Sequence, residues 1–235
     1  MANIGSIQEK YDKFVIFDTE TTGLDFARDE IIEFSAVELQ VQGDQVVITR
    51  EYDNLVSLSP GNTVPPEITQ LTGISTQDIL ERGVPKAQVC QDIAQMFSGN
   101  TLLLAYNAHF DLSFLFYLLL RNGDPTILKG KDKLDLLTVY KDRRPFPHKL
   151  CNAIEAYGLS GKVVNSHRAI DDVIATVAVM EAMAAEKDDL ECYVNLFGYN
   201  AKYGISGKPI GSVTYKPQRY HNANQQFIVP LYSTL

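Results

Sequence analysis

Residues 13–23 read KFVIFDTETTG, a short apolar run that ends in acidic residues. Its first five residues are mostly apolar β formers, which predicts a strand buried on both faces. Asp18 and Glu20 follow at once, and alternate residues of a strand share a face, so both carboxylates project to one side. Such a pair is costly to bury unless a cation lies between its members, and Mg²⁺ or Mn²⁺ prefers oxygen ligands. The alternative is a polar turn whose acids face water.

Acidic residues interrupt two further apolar elements. In residues 105–111 (AYNAHFD), Asp111 enters the first turn of a predicted core helix. In residues 166–172 (SHRAIDD), His167 lies just outside the last long helix and Asp172 about one turn inside it. Taken singly, the first acid could compensate a helix dipole, and the histidine could be an ordinary cap or surface residue. Three such interruptions in one chain favour a shared acidic centre.

The remaining pattern predicts an α/β fold in which a mixed sheet is covered by helices. Strands are expected at 31–41 and 46–58, around a Gly43-Asp44 turn, and at 102–105. Helices are expected at 84–97, 110–120, 150–157 and 168–185, with shorter ones after Pro65. Ser75 and Asp78 have capping-box spacing, and Leu134 is expected to open a helical segment.

Composition limits the classes of function. The 235 residues carry a net charge of −8, which argues against sequence-independent binding of duplex nucleic acid but allows an enzyme that binds a short end. The three cysteines are widely spaced and the first residues are polar, which favours a reducing cytosol over secretion. The most apolar window, 102–120, contains Asn107, His109 and Asp111, so no membrane segment is expected.

The three motifs resemble, in order and spacing, those of the DEDDh-type 3′–5′ exonucleases, the family of the proofreading (epsilon) subunit of bacterial DNA polymerase III. The motifs are FDTETTGL at 17–24, NAHFD at 107–111 and HRAIDD at 167–172. A P-x-x-I-x-x-L-T-G-I stretch at 65–74 also looks like this family. The resemblance covers about residues 12–186 and implies a ribonuclease-H-like fold, with an exonuclease domain at 1–189 and a C-terminal extension at 190–235.

The resemblance also implies roles for individual residues. Asp18, Glu20, Asp111 and Asp172 would hold two Mg²⁺ or Mn²⁺ ions, and His167 would be the general base. The residues implied to contact the terminal nucleotide are Thr21, Gly23, Leu24, Glu67 and Thr72. For Leu24 the alternative is ordinary core packing.

The implied substrate is the 3′ end of a single-stranded or frayed nucleic acid, with DNA favoured over RNA. The alternatives are a 3′–5′ exoribonuclease, a non-catalytic domain that binds nucleic acid or a partner, and a small-molecule phosphohydrolase. A DNA polymerase or a second subunit is a further candidate partner.

Three other features carry weaker expectations. Asp171 points about 100° away from Asp172 and is expected to be solvated or capping, while Asp135 is expected to orient nearby backbone. A basic cluster, expected to be a solvated loop with phosphate contact as the alternative, comprises Lys141, Arg143, Arg144 and Lys149.

The tail, residues 202–235, contains four basic residues and no Asp or Glu. Its aromatic residues are Tyr203, Tyr215, Tyr220, Phe227 and Tyr232. Interleaved basic and aromatic side chains suit a single-stranded nucleic acid. The alternative is that this tail docks on the acidic body or on a second subunit.

Overall fold

The computed structural model describes residues 4–43, 45–218 and 230–234. Its strands are β1 (Lys13–Thr21), β2 (Ile31–Gln42), β3 (Gln45–Leu55), β4 (Thr101–Ala105), β5 (Asp132–Asp135), β6 (Leu196–Asn200) and β7 (Thr214–Gln218). Its α-helices are α1 (Pro66–Thr72), α2 (Thr76–Arg82), α3 (Lys86–Met96), α4 (Ala108–Asn122), α5 (Leu136–Arg143), α6 (Leu150–Ala156) and α7 (Ala169–Glu186). Short 3₁₀ helices lie at Gly5–Glu9, Pro125–Leu128, Leu190–Tyr193 and Leu231–Thr234.

The main sheet has five strands in the order β3-β2-β1-β4-β5. β1 is antiparallel to β2, whereas the β1–β4 and β4–β5 pairs are parallel. β1 takes the central place because residues 14–17 are apolar on both faces, and all four are at most 1% exposed. The predicted mixed sheet flanked by helices is therefore confirmed.

The alternation along β1 sorts its side chains into two cores. Phe14 and Ile16 pack in a cluster with Val173 and Met180 of α7. Val15 and Phe17 pack in a second cluster on the opposite face, with side chains of α3 and α4. Helices therefore cover both faces of the central strand, and its carboxyl end lies between them.

The helix at α2 begins as its sequence predicts. Ser75 Oγ accepts a hydrogen bond from the Asp78 backbone N–H at 3.1 Å, and Asp78 Oδ2 accepts one from the Ser75 N–H at 2.9 Å. This reciprocal pair is a capping box. At the predicted hairpin turn Gly43 has a φ of 64°, while Asp44 lies outside the described residues.

The prediction that Leu134 opens a helical segment is wrong, because it lies in β5. Only Leu134 is apolar in this four-residue strand, DKLD, yet the Lys133 side chain is buried. The Lys133 ammonium donates to the carbonyls of Leu128 and Lys131 and to Ser212 Oγ, at 2.6–3.3 Å. Parallel pairing with β4 makes the segment a strand, and neither that pairing nor the distant Ser212 is revealed by local periodicity.

Two predicted boundaries also move. β3 ends at Leu55, three residues before the predicted end, because Val56 pairs instead with Val84 in an isolated parallel bridge. Because Val84 is used in this bridge, α3 begins at Lys86, two residues after the predicted start at 84.

The extension adds a two-stranded parallel sheet, β6–β7. Asn195 joins it to the main sheet, because its side chain accepts from the Lys133 N–H at 2.9 Å and donates to Asp132 at 2.7 Å. Four side chains beyond residue 189 are at most 2% exposed and belong to the two cores, namely Leu190, Tyr193, Leu196 and Phe197. The division at residue 189 stays a proposal. No helix within the described ranges is long and apolar enough to cross a membrane.

Candidate active site

The carboxyl end of β1 carries the first two acids. Asp18 and Glu20 stand opposite Ser35 and Glu33 of β2, on the face that α7 covers. Thr19, between them, points to the other face, where α4 lies. The strand therefore offers two carboxylates on one side and a hydroxyl on the other.

Asp111 comes from the first turn of α4 and is fixed to β1. Its Oδ1 accepts hydrogen bonds from the Thr19 N–H at 3.0 Å and from Thr19 Oγ1 at 2.8 Å. The helix begins after Asn107, whose φ of 75° is left-handed. Asp135 Oδ1 accepts from the N–H groups of Asn107 and Ala108 at 3.0 and 3.1 Å, which confirms that Asp135 orients nearby backbone. These bonds hold Asp111 beside the acids of β1.

The start of α7 brings the third motif to the same place. Ligand atoms of Glu20, His167 and Asp172 all lie within 4.8 Å of one another. His167 is exposed and has a left-handed φ of 58°, a costly conformation that is enriched at functional sites. Asp172 is buried, and its Oδ1 accepts from Asn165 Nδ2 at 2.6 Å. Asp171 instead accepts a hydrogen bond from Ser166 Oγ, and the structure gives α7 no side-chain cap, so the predicted capping role stays a prediction.

The electrostatics of this cluster call for positive charge. Burial, followed by repulsion from Asp111 and Glu20, holds the pKa of Asp18 well above its usual range. Burial together with Asp172 and Glu33 raises the pKa of Glu20 to about 8. Burial also raises the pKa of Asp111 to about 7 and that of Asp172 above its ordinary value. The hydrogen bonds from Thr19 to Asp111 and from Asn165 to Asp172 act in the opposite direction and lower these pKa values, but burial outweighs them. Carboxylates that resist ionisation together are a donor set suited to hard divalent cations.

Glu33 is a neighbour of the site that the sequence reasoning missed. It is fully buried in β2 and accepts from Arg168 Nε at 2.9 and 3.2 Å and from the Ala169 N–H at 2.8 Å. Arg168 Nη2 also donates to it. This ion pair ties the residue after His167 to the strand beside β1. The sequence does carry a sign of Glu33, because it is an acid inside an apolar strand, IIEFSAVEL at 31–39, like the acids that mark the three motifs.

The residues predicted to contact the terminal nucleotide fall into two groups, of which the first lies in the loop after β1. Leu24 is 82% exposed, which argues against the core-packing alternative. Thr21 Oγ1 donates to the Gly23 carbonyl at 2.6 Å, and the Asp29 carboxylate leaves no room for a side chain at Gly23. The loop therefore exposes the apolar side chain of Leu24 beside backbone that the bond from Thr21 and the close packing at Gly23 hold in place.

The second group lies on α1. Glu67 is exposed in the first turn. Thr72 is buried, where its hydroxyl donates to the Ile68 carbonyl at 2.9 Å and accepts from the Ile74 N–H at 3.1 Å. These bonds give Thr72 a local structural role, and its contact with a nucleotide stays a prediction.

Asp18→Asn should stabilise the metal-free protein as the pH rises. An acid whose pKa is raised on folding favours the folded state below its ordinary value of about 4, and that contribution is lost as the pH rises through the raised pKa. In EDTA the variant should therefore lie close to the wild type near pH 4 and melt at least about 3 °C higher at pH 8, the shift that about 1 kcal/mol produces in a chain of this size.

The measurement is a thermal melt in EDTA across this pH range. Asp12→Asn, which removes an exposed acid just before β1, should leave the melting temperature nearly unchanged at both pH values. A lower melting temperature for Asp18→Asn at pH 8 would contradict the repulsion described above.

Arg168→Gln should destabilise the protein, because Glu33 would keep a buried charge without its cation. The expected loss in unfolding free energy is about 2 to 3 kcal/mol, less than for a fully buried pair because the Arg168 side chain is 39% exposed. Urea unfolding measures it.

Two further variants make this test specific. Adding Glu33→Gln to Arg168→Gln should recover most of the loss. Arg82→Gln, which breaks the exposed Arg82–Asp78 pair, should cost far less. Equal losses for the two arginine variants would contradict a special role for the Arg168–Glu33 pair.

Comparisons with known proteins agree with this geometry. An exonuclease family model (RNase_T) matches residues 15–180. The PolC-type DNA polymerase III of Clostridium perfringens is 33% identical over 171 residues, which cover 72% of this chain and 11% of that polymerase. The DNA polymerase III epsilon subunit of Treponema pallidum is 31% identical over 174 residues, covering 73% of this chain and 76% of the subunit. The chain thus spans about a tenth of the polymerase and three quarters of the subunit.

Solved structures agree on the fold. Exonuclease I of E. coli, in complex with a dA16 oligonucleotide, matches with a TM-score of 0.65 over 75% of this chain and 41% of its own, at 23% identity. This likeness confirms the ribonuclease-H-like arrangement of the sheet and helices. The family model covers most of the chain and includes the three motifs gathered at the end of β1. The chain therefore belongs to the exonuclease family, among the DEDDh-type 3′–5′ enzymes that its motifs resemble.

Proposed function

We propose that this protein is a metal-dependent 3′–5′ exonuclease that removes nucleoside 5′-monophosphates from single-stranded or frayed 3′ ends, with DNA as the favoured substrate. The observation that carries the proposal is the meeting of four carboxylates and one histidine, from three separate motifs, at the carboxyl end of β1. The raised pKa values of the four carboxylates and their oxygen donors support a binding site for divalent cations. A non-catalytic binding domain would need none of these groups.

The four carboxylates would hold two Mg²⁺ or Mn²⁺ ions, in keeping with the use of divalent metals in this exonuclease family. Asp18 would bind both ions, Glu20 and Asp172 would complete one site, and Asp111 would serve the other, largely through water. Bound there, the two ions would activate the attacking water and stabilise the leaving 3′ oxygen. Thr19 donates to one carboxylate oxygen of Asp111, and Asn165 donates to one of Asp172. These bonds orient the two carboxylates before any ligand arrives.

His167 would take the proton from the attacking water. An imidazole is suited to this step because it changes charge near neutral pH. Its exposed position lets it pass the proton on to solvent after each turnover. The Arg168–Glu33 pair and the backbone bond from Ala169 would hold the histidine-bearing turn in place.

The loop after β1 would receive the terminal nucleotide. The exposed Leu24 is placed to pack beside a base, on the support that Thr21 and Gly23 provide. Glu67 would approach the terminal sugar from α1. None of these residues distinguishes a deoxyribose from a ribose, so an exoribonuclease remains the alternative to be tested.

The test uses labelled oligonucleotides of DNA and of RNA, each with a free or a blocked 3′ end. With Mg²⁺ or Mn²⁺ we expect mononucleotides from the free 3′ ends, faster from DNA, and none in EDTA. Asp18→Ala should abolish turnover and most metal affinity, which calorimetry measures. Full turnover in excess EDTA would overturn the metal-dependent proposal, and binding without hydrolysis would favour a non-catalytic domain.

His167→Ala should lower kcat by about 10² to 10⁴-fold, the usual scale for a lost general base, while metal binding survives. The matched control is Asp171→Asn, since this neighbouring acid accepts a hydrogen bond from Ser166 outside the cluster and should be nearly silent. For both variants, single-turnover kinetics measures the chemical step and calorimetry measures metal binding, so a loss of catalysis is separated from a loss of metal. A large effect at Asp171 and none at His167 would shift the assignment of the third motif.

A further inference from the structure

One exposed stretch of the extension, residues 202–208, lies between the two loops that flank the acidic centre. The ring of His109, in the second motif, contacts this stretch through Nε2, which donates to the Ser206 carbonyl. Its Nδ1 lies 2.6 Å from the Tyr215 hydroxyl of β7 and accepts a hydrogen bond from it. Both ring nitrogens of His109, two residues before Asp111, are therefore used to hold the extension.

The same stretch contacts the loop that follows the first motif. Gly207 lies so close to the Phe26 ring that no side chain would fit there. Phe26 is two residues from Leu24, the exposed apolar side chain of the proposed nucleotide site. Ser206 and Gly207 thus bridge the chain segments that leave the active-site ends of β1 and β4.

The side chains beside this bridge are free to bind a ligand. Tyr203 is 73% exposed, and Lys202 Nζ lies 5.1 Å from the centre of its ring. Lys208 is exposed, and neither lysine forms an ion pair with any residue that the structure describes. Tyr203 stands three residues from Ser206, so it lies within about 10 Å of the His109 contact.

Other basic and aromatic residues are committed to the fold. In the basic cluster, Arg143 pairs with Glu186 and Asp189, and Arg144 pairs with Glu186. In the tail, Tyr215 holds His109 and Tyr232 donates to Asp189 at 2.9 Å. These contacts match the docking alternative for the tail, whereas residues 202–208 keep their charge and ring exposed. Tyr220 and Phe227 lie outside the described residues.

We propose that residues 202–208 bind the single strand just 5′ of the terminal nucleotide, with Tyr203 stacking on a base and Lys202 and Lys208 contacting phosphates. The proposal rests on the exonuclease function above and extends it to the rest of the substrate. Aromatic rings stack on any base, and lysines follow the backbone without reading sequence. The chain carries a net charge of −8, so free cations beside the acidic centre would offset its repulsion of the phosphates.

The test compares two substrates that differ only in the presence of 5′ nucleotides. The first is a single-stranded dT oligonucleotide, and the second is the p-nitrophenyl ester of thymidine 5′-monophosphate, which has a terminal nucleotide alone. Tyr203→Ala should raise KM for the oligonucleotide about 5- to 100-fold more than KM for the ester, the scale of one lost base stack. Tyr203→Phe keeps the ring and should restore most of the affinity.

The lysines are tested through salt dependence. In the double variant Lys202→Ala/Lys208→Ala, the slope of log Kd for the oligonucleotide against log salt should fall by about 1.4, since each phosphate contact on a single strand contributes about 0.7. The control is Lys129→Ala, an exposed lysine before β5 at the end of the parallel strands opposite the acidic centre, which should leave slope and turnover unchanged.

The outcomes separate this inference from the function on which it rests. Unchanged oligonucleotide KM in Tyr203→Ala and unchanged salt slope in the lysine variant would overturn the inference while ester hydrolysis by the wild type continued. Equal losses on both substrates would also overturn it, because the stretch would then act on the catalytic centre. Failure of the wild type to hydrolyse either substrate with Mg²⁺ or Mn²⁺ would overturn the exonuclease function itself.

Discussion

Four carboxylates share the carboxyl end of one buried strand, and the cost of burying them together constrains everything built around it. Burial raises the pKa values of Asp18, Glu20, Asp111 and Asp172, and repulsion within the cluster adds to this at Asp18 and Glu20. Such a cluster opposes folding unless other groups compensate, because charge is expensive where water is scarce. The two apolar cores on either side of β1 supply the favourable burial that offsets this cost, and fixed hydrogen-bond donors lower the cost of ionising Asp111 and Asp172. The same unfavourable electrostatics would favour the binding of divalent cations.

Hydrogen bonds from other segments decide where two of the acids point. Thr19 of β1 bonds Asp111 on the face that α4 covers, Asn165 bonds Asp172, and Asp135 anchors the turn before α4. Asn107 and His167 both adopt left-handed backbone conformations at the turns that carry the second and third motifs. Left-handed backbone is costly for residues other than glycine, so the surrounding bonds must hold these turns in place. The buried Glu33 supplies one such bond through Arg168, while its charge also adds to the repulsion on Glu20.

The extension changes the environment of the site without contributing to the acidic cluster. Its first residues fill both cores, β6 packs beside β5, and the stretch between β6 and β7 contacts His109 and Phe26. The exposed Tyr203 ring and the Lys202 and Lys208 ammonium groups therefore lie on a stretch that contacts the loops of the first two motifs. In the proposed complex these cations would offset part of the repulsion between a chain of net charge −8 and a polyanionic strand.

The central strand, the mixed sheet with its covering helices and the three acidic motifs were all predictable from the sequence. They were predictable because burial and alternation act locally: KFVIF has the apolar, β-forming composition of a buried strand, and acids that end such a run stand out. The roles of those acids stay predictions until they are tested. Three features appear only in the folded chain: Leu134 lies in a strand, Glu33 faces Glu20, and Ser206 contacts His109. Each of these depends on partners far away in the chain, such as Asn195 for β5, Arg168 for Glu33 and Ser206 for His109. Local periodicity carries no information about such partners, because they meet only when the sheet and its helices have assembled.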